Sequence, residues 1–379
     1  MGRIKVMTIL GTRPEIIRLS RVMAALDRYM DHVVVHTGQN YDYELNEVFF
    51  QDLGLRKPDV FLDVDATSLG RVLGNILIAI ESVLDAQRPD AVLVLGDTNS
   101  SIAAIMAKRK KIPVYHMEAG NRSFDPNVPE EVNRQIVDRI SDFNLVYTEH
   151  ARRHLLAEGQ PHRRVLLTGS PMKEVLTHYR PGIEASDVLA RLGLAKGRYV
   201  LVSMHREENV DSPRHLSALL DALVAVHERF EVPVLVSTHP RTRKRLEALG
   251  RPFEHAGIAF AKPFGFLDYN RLQMDAFCVL SDSGTITEES SLLGFPAVTI
   301  RRSMERPEGL DTGSIILTGL DAEIIVQAVQ MVTDAWHEGR RPPVPADYQI
   351  ENVSQRVVSL ILGTARLSND WAGVRRHEG

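Results

Sequence analysis

Polar and charged residues that directly follow short apolar runs are where chemistry is expected, because such loops gather where parallel strands open. Six segments of this chain fit that description. They are Gly11-Thr12-Arg13-Pro14-Glu15-Ile16-Ile17-Arg18, Gly96-Asp97-Thr98-Asn99-Ser100, His116-Met117-Glu118-Ala119-Gly120, Pro129-Glu130-Glu131-Val132-Asn133-Arg134, Ser203-Met204-His205-Arg206-Glu207-Glu208-Asn209 and Ser281-Asp282-Ser283-Gly284-Thr285 with Glu288-Glu289 beyond it.

In the first, Gly11 permits a tight turn and Pro14 fits the opening turn of a helix. Free N–H groups at that helix start, with Arg13 and Arg18 nearby, suit an anion. A well-capped helix with solvated arginines is the plainer alternative. The segment is neither a Gly-rich dinucleotide fingerprint nor a P-loop, so neither nicotinamide binding nor nucleotide triphosphate hydrolysis follows. Asp97 alone reads equally as a helix N-cap, and Glu130 and Glu131 as acids favoured by a helix dipole. Glu118 is either an ordinary acid at a strand exit or a group facing a ligand admitted by the small residues after it. His205, among polar neighbours, suits a cleft better than a core and titrates in the range useful for proton transfer. Ser283, Gly284 and Thr285 would present N–H groups at a second helix start, although capping also explains the hydroxyls. Glu289, further along that helix, could accept hydrogen bonds from two ribose hydroxyls. No His/Cys cluster or acidic ladder has metal-ligand spacing, so no metal is expected, and no nucleophile elbow is present.

The elements that must carry these loops read as an α/β pattern that occurs twice. Ile4–Leu10, Val33–Thr37, Ala91–Leu95, Val114–Glu118 and Asn144–Thr148 are strand candidates, with helical segments such as Leu69–Ala86 and Ser101–Lys110 among them. Ile16, Leu19, Met23 and Leu26 share one face of the helix that follows Gly11. The pattern restarts with Tyr199–Met204, Val232–Ser237, Ala276–Ser281 and Ala297–Ile300. Continuous apolar strands alternating with amphipathic helices indicate parallel sheets covered on both faces. Turn formers cluster near Gly169-Ser170-Pro171, placing the seam between residues 1–170 and 171–352, and again a little later at Tyr179-Arg180-Pro181-Gly182, the alternative seam. A last helical segment, within 353–379, is expected to pack back on the first domain.

A chain of 379 residues exceeds what one hydrophobic core usually spans, which agrees with two domains. The net charge of -4 gives no basic excess, so nucleic acid is not expected as a partner. The one cysteine, Cys278, lies in an apolar run and reads as a small core residue. No leader and no apolar stretch of membrane-spanning length is seen, so a cytoplasmic protein without a membrane partner is expected.

Taken together and in order, GTRPE at 11–15, GDT at 96–98, EAG at 118–120, PEE with NR at 129–134, HREEN at 205–209, SDSG at 281–284 with EE at 288–289, and ERPE at 305–308 resemble the non-hydrolysing UDP-N-acetylglucosamine 2-epimerases. The resemblance covers nearly the whole chain. It implies a GT-B-like α/β fold, two Rossmann-like, doubly wound domains with an active-site cleft between them. It also implies a homodimer, a UDP-N-acetylhexosamine substrate, and no cofactor other than UDP held as product or intermediate. The implied reaction eliminates UDP to a 2-acetamidoglucal and adds it back with a proton on the opposite face of C2. Asp97, Glu118, Glu130 and His205 match the acid/base positions. The implied substrate and UDP contacts are Arg13, Arg18, Glu131, Arg134, Arg206, His239, Tyr269, Ser283, Gly284, Thr285 and Glu289.

Arg18 stands where many members have Lys, and Thr285 where many have a second Gly. Gln39-Asn40-Tyr41-Asp42-Tyr43-Glu44 differs from the glutamine-rich allosteric stretch of some bacterial members. HTGQNYDYELNE and GTRPEIIRLS look closer to the subgroup that forms UDP-N-acetyl-L-fucosamine, an alternative product. A glycosyltransferase of the same fold is the alternative from another class.

Overall fold

The computed structural model of the protein describes residues 2–38, 49–65, 67–125 and 127–374. The 39–44 stretch and most of HTGQNYDYELNE lie outside the described residues. The chain divides into two compact units, Met1–Thr177 with Ala346–Gly379, and His178–Pro345. The division falls inside the helix Met172–Ala185, between the two turn clusters, at 169–171 and 179–182, where the sequence pattern put the seam.

The first unit is built on seven strands: β1 Lys5–Leu10, β2 Asp31–His36, β3 Val60–Phe61, β4 Ala91–Leu95, β5 Val114–Met117, β6 Phe143–Val146 and β7 Val165–Leu167. They lie in the order β3-β2-β1-β4-β5-β6-β7, every pairing parallel. All five residues of β4 are buried, which is why its sequence is an unbroken apolar run rather than an alternating one. The helix Arg13–Tyr29 buries Ile16, Leu19, Met23 and Leu26, the face read from the sequence. On the helix Leu69–Gln87, Val72, Ile76, Ile80 and Leu84 form the buried stripe, and Ser68 caps its first turn by accepting from the Arg71 N–H at 3.3 Å.

The C-terminal helix Val353–Thr364 lies against Arg13–Tyr29. It is tied there by the Ser354 N–H on Glu174 at 2.9 Å and by the Thr364 hydroxyl, 2.6 Å from that of Tyr115. Arg164 adds a 2.9 Å bond to the Ser368 hydroxyl. The segment from Val353 to Ser368 thus completes the first unit.

The second unit carries β8 Val200–Ser203, β9 Val234–Ser237, β10 Ile258–Ala261, β11 Cys278–Ser281 and β12 Ala297–Thr299, parallel in the order β10-β9-β8-β11-β12. Leu216, Leu219, Leu220, Leu223 and Val226 of the helix Pro213–Phe230 share one core with Ile325 and Val329 of the helix Ala322–His337. Truncating one of these leucines to alanine costs about 2–5 kcal/mol. Cys278 is buried in the same core. Among the described residues no helix is long and apolar enough to cross a membrane.

Both sheets reverse their direction of winding once, between β1 and β4 and between β8 and β11. The loops leaving those neighbouring strands turn to opposite faces and leave a crevice at the carboxyl end. Gly11-Thr12 and Gly96-Asp97 flank the first crevice. Met204-His205-Arg206 and Asp282-Ser283-Gly284 flank the second.

Candidate active site

In the first unit, Glu15 organises the crevice. Its carboxyl is buried and accepts the N–H groups of Gly11 and Thr12 at 3.0 and 2.8 Å and the Thr12 hydroxyl at 2.8 Å, all on one oxygen. The other oxygen accepts the Thr98 hydroxyl at 2.9 Å. Burial outweighs these hydrogen bonds and pushes the Glu15 pKa up to about 7. The N–H groups of Gly11 and Thr12, just before the helix start expected to meet an anion, are thus engaged by the chain's own carboxylate. The pattern Thr-x-x-Glu at 12–15 is a capping box, and that signal was available in the sequence.

The acids expected to act on substrate lie within this unit, Asp97 and Glu118 beyond neighbouring strand ends and Glu130 in the first turn of a helix. Glu118 leaves β5 with a left-handed backbone, φ 63°, a conformation that costs a non-glycine residue about 1–3 kcal/mol. Arg18 pairs with its Oε2, and Asn121 reaches Oε1 at 3.5 Å. Arg18, expected at the substrate, is therefore buried on Glu118. Gly96, φ 68°, brings the two loops together, since a Cβ at that position would stand 3.2 Å from Glu118 Oε2.

Asp97 is half-buried and pairs with Arg134, which also pairs with Glu131. Asn133 donates to the Asp97 carbonyl and to the Asn99 side chain, both at 3.0 Å. Glu131 accepts the Ser123 N–H and hydroxyl, each at 3.1 Å, and so holds the loop before its helix. Glu130, one residue earlier on the helix Pro129–Ile140, is half-buried. Arg13 lies over the Phe49 ring, 5.5 Å from its centroid.

Below these loops sits a buried polar pair that the sequence reading did not single out. His116 Nε2 donates to the Gly96 carbonyl at 2.8 Å, and its Nδ1 lies 2.9 Å from Asp138. Asp138 also accepts the Gly120 N–H at 3.2 Å and Arg122 at 2.7 Å. One buried cluster thus anchors the residues flanking both Asp97 and Glu118.

In the second unit, the buried Asp282 carboxylate fixes the histidine loop. It accepts the N–H groups of His205 and Arg206, each at 3.0 Å, and the Asn209 amide at 3.0 Å, with His205 Nδ1 at 3.2 Å. His205 itself is exposed. The His239 ring centroid lies 6.5 Å from that of His205, and its Nδ1 caps the helix Pro240–Glu247.

Two of the three N–H groups expected to meet an anion in this unit are already engaged. The Ser283 N–H is taken by the Ser281 hydroxyl at 3.0 Å, and the Thr285 N–H by the Ser283 hydroxyl at 3.3 Å. Gly284 keeps its position beneath Arg206, whose Nη2 would lie 3.3 Å from an added Cβ. Glu305, of the ERPE segment, lies 3.6 Å from Arg206 and is itself gripped by Arg301 at 2.6 and 2.9 Å. Glu289 accepts the Gln273 amide at 2.7 Å. Desolvation of the half-buried Tyr269 hydroxyl, with the Glu289 charge behind it, pushes its ionisation above the usual phenol range.

Two parallel, doubly wound units, one with clustered carboxylates at its switch point and the other with a histidine beside an arginine-over-glycine turn, define a GT-B-like α/β protein. The family model for UDP-N-acetylglucosamine 2-epimerase matches residues 24–362. The chain belongs to the UDP-N-acetylglucosamine 2-epimerase family. It is similar to the solved structure of UDP-N-acetylglucosamine 2-epimerase from Rickettsia bellii, with 47% identity, TM-score 0.93, and 99% of this chain and 100% of that chain covered. The Methanocaldococcus jannaschii UDP-GlcNAc 2-epimerase, solved in complex with UDP-GlcNAc and UDP, is 34% identical with TM-score 0.89, covering 94% of this chain and 99% of that one. The UDP-2,3-diacetamido-2,3-dideoxy-D-glucuronate 2-epimerase of Pseudomonas aeruginosa is 34% identical over 86% of this chain and 91% of that protein.

Proposed function

We propose that this chain is a non-hydrolysing UDP-sugar C2 epimerase that interconverts UDP-GlcNAc and UDP-ManNAc. The observation that carries the reading is the approach of the Glu118 carboxylate to Gly96, the residue directly before Asp97, which brings the two carboxylate-bearing loops together. Proton traffic at an unactivated carbon needs such a group of acids and bases, whereas glycosyl transfer leaves C2 untouched.

The C2 proton of a 2-acetamido sugar is not acidic, so removing it alone would leave an unstabilised carbanion. Departure of UDP solves this. The C1–O bond breaks, its electron pair leaves on the β-phosphate oxygen, and the C2 proton passes to a base, giving a 2-acetamidoglucal. Return of UDP to C1 with protonation of the opposite face of C2 gives the epimer. Asp97, Glu118, Glu130 and His205 supply the acid/base groups. Arg13 and the Arg206–Gly284 turn, with Ser283 and Thr285, stabilise the departing diphosphate. Glu289 takes the ribose hydroxyls, and Tyr269 lies beside uracil. Arg18, Arg134 and Glu131 orient the acids through the pairs described above, and His239 supports His205. No dissociable cofactor enters, and the enzyme works as a cytoplasmic homodimer.

Incubation in D2O with a panel of UDP-sugars tests the reading. UDP-GlcNAc should gain deuterium at C2 and yield UDP-ManNAc. The panel includes UDP-2-acetamido-2,6-dideoxy-L-hexoses and the diacetamido-glucuronate sugar, and faster turnover of either would reassign the substrate. Retention of the C2 proton throughout would refute epimerisation, and transfer to an acceptor would establish a glycosyltransferase instead.

A further inference from the structure

Glu15 is an unusual group to find at this place. Its carboxyl is buried, four donors from two separate loops converge on it, and no cationic side chain pairs with it among the described residues. Three of the donors belong to Gly11 and Thr12, directly before Arg13. The fourth is the hydroxyl of Thr98, directly after Asp97. A capping box alone accounts for the Thr12 N–H and leaves Thr98 unexplained, since Thr98 lies in the loop after β4 and is no part of that helix.

The two loops are those that diverge at the sheet's switch point, between β1 and β4. The pairing of β1 on β4 does not tie them to each other, because its register ends at Thr8↔Leu93. Glu15 spans that unpaired stretch. Thr98 is in turn locked on the β4 side, where its hydroxyl accepts the Ser100 N–H at 3.2 Å and its carbonyl accepts the Ser101 hydroxyl at 2.7 Å.

We propose that Glu15 is a positioning residue for epimerisation, acting through Thr98 to hold the Asp97 loop in register with the Arg13 loop. The inference rests on the function proposed above and adds a residue to its machinery. Glu15 does not touch substrate. It fixes the distance between the arginine that meets the diphosphate and the carboxylate that works at C2, and misplacing reacting groups by an ångström is enough to cost about 10²-fold in rate. A buried carboxyl whose pKa is pushed up to about 7 holds its proton more readily than a surface one, so an uncharged amide can replace it with little change in the site.

The test uses the full-length protein with UDP-GlcNAc in D2O, following C2 exchange, with UDP binding measured separately by calorimetry. Thr98→Val keeps the size of the side chain but removes the donor on the Asp97 side. It should lower kcat by about tenfold or more while KM and UDP affinity stay within about twofold, since a tenfold loss is what a shift of a fraction of an ångström yields. Glu15→Ala should lower kcat further and weaken UDP binding, because it frees both loops. Glu15→Gln, which keeps an acceptor for Gly11 and Thr12 and a polar partner for Thr98, should restore most of the loss. The double variant Glu15→Ala/Thr98→Val should be no slower than Glu15→Ala alone, because both act along one path.

Wild-type turnover in Thr98→Val, or multiplied losses in the double variant, would overturn the proposal while leaving the epimerase reading standing. A wild type that fails to exchange C2 would overturn the reading and the proposal together. Loss of folding in Glu15→Ala is answered by Thr98→Val and Glu15→Gln, whose split between kcat and KM decides the matter by itself.

Discussion

Gly96→Ala perturbs one backbone position and, through it, one carboxylate. Gly96 has φ 68°, in the left-handed region, where adding a side chain costs about 1–2 kcal/mol. The new Cβ would also stand 3.2 Å from Glu118 Oε2, so that carboxylate must withdraw by a few tenths of an ångström. Gly159 supplies the control: its φ is 82°, and a Cβ there meets nothing within 4 Å. Both alanine variants should therefore lose similar stability, a fall in Tm of roughly 2–8 °C at about 2–4 °C per kcal/mol. Only Gly96→Ala should slow C2 exchange, by about tenfold, because only it moves Glu118. Thermal unfolding measures the shared cost, and NMR of UDP-GlcNAc in D2O measures the difference. Equal exchange rates in the two variants would refute the claim that Glu118 is held at Gly96 for catalysis.

Three further outcomes follow from the same geometry. Asp97→Asn and His205→Asn should each lower turnover by about 10²-fold or more with UDP affinity nearly intact, whereas Arg13→Ala should weaken UDP binding too. Equal loss of UDP binding in all three, measured by calorimetry, would contradict those roles. Glu15 makes stability depend on pH. Its folded pKa of about 7 exceeds the ordinary 4.5, so its contribution is complete below pH 4.5 and fades as pH rises through 7, by roughly 3 kcal/mol in all. Urea titrations should show wild type losing ground to Glu15→Gln across that window, and a difference independent of pH would refute it. Burial pushes the Cys278 thiol up to about 12, so iodoacetamide should leave the native protein unmodified at pH 8 and label it once unfolded. Labelling of the native state would show that the second core opens.

Much of the fold was legible because the strands that matter are buried on both faces. Ala91–Leu95 and the β1 run stand out as unbroken apolar stretches, and the stripe of Ile16, Leu19, Met23 and Leu26 was visible from its spacing. Val60–Phe61 and Val165–Leu167 were not read as strands, being two and three residues long. Ile258–Ala261 escaped as well, with only its first residue buried.

The site divides in the same way. Motif order placed Asp97, Glu118, His205 and Ser283 on strand ends, and the structure puts them there. What the sequence concealed was who satisfies whom. Arg18 and Glu118 are a hundred residues apart yet form one ion pair, and Asp282 serves a loop more than seventy residues before it. Free N–H groups at the helix start after Gly11 were a fair inference. Those just before it, at Gly11 and Thr12, go to Glu15, because a capping side chain competes for the same donors as an external anion.

UDP-GlcNAc carrying 18O in the bond between C1 and the β-phosphate, incubated with the full-length protein in D2O and read by NMR, tests the central claim most directly. Elimination and re-addition predict deuterium at C2 in both epimers and movement of the label from the bridging to the non-bridging β-phosphate oxygens. Retention of the C2 proton with the label still in the bridge would contradict C2 epimerisation through UDP departure.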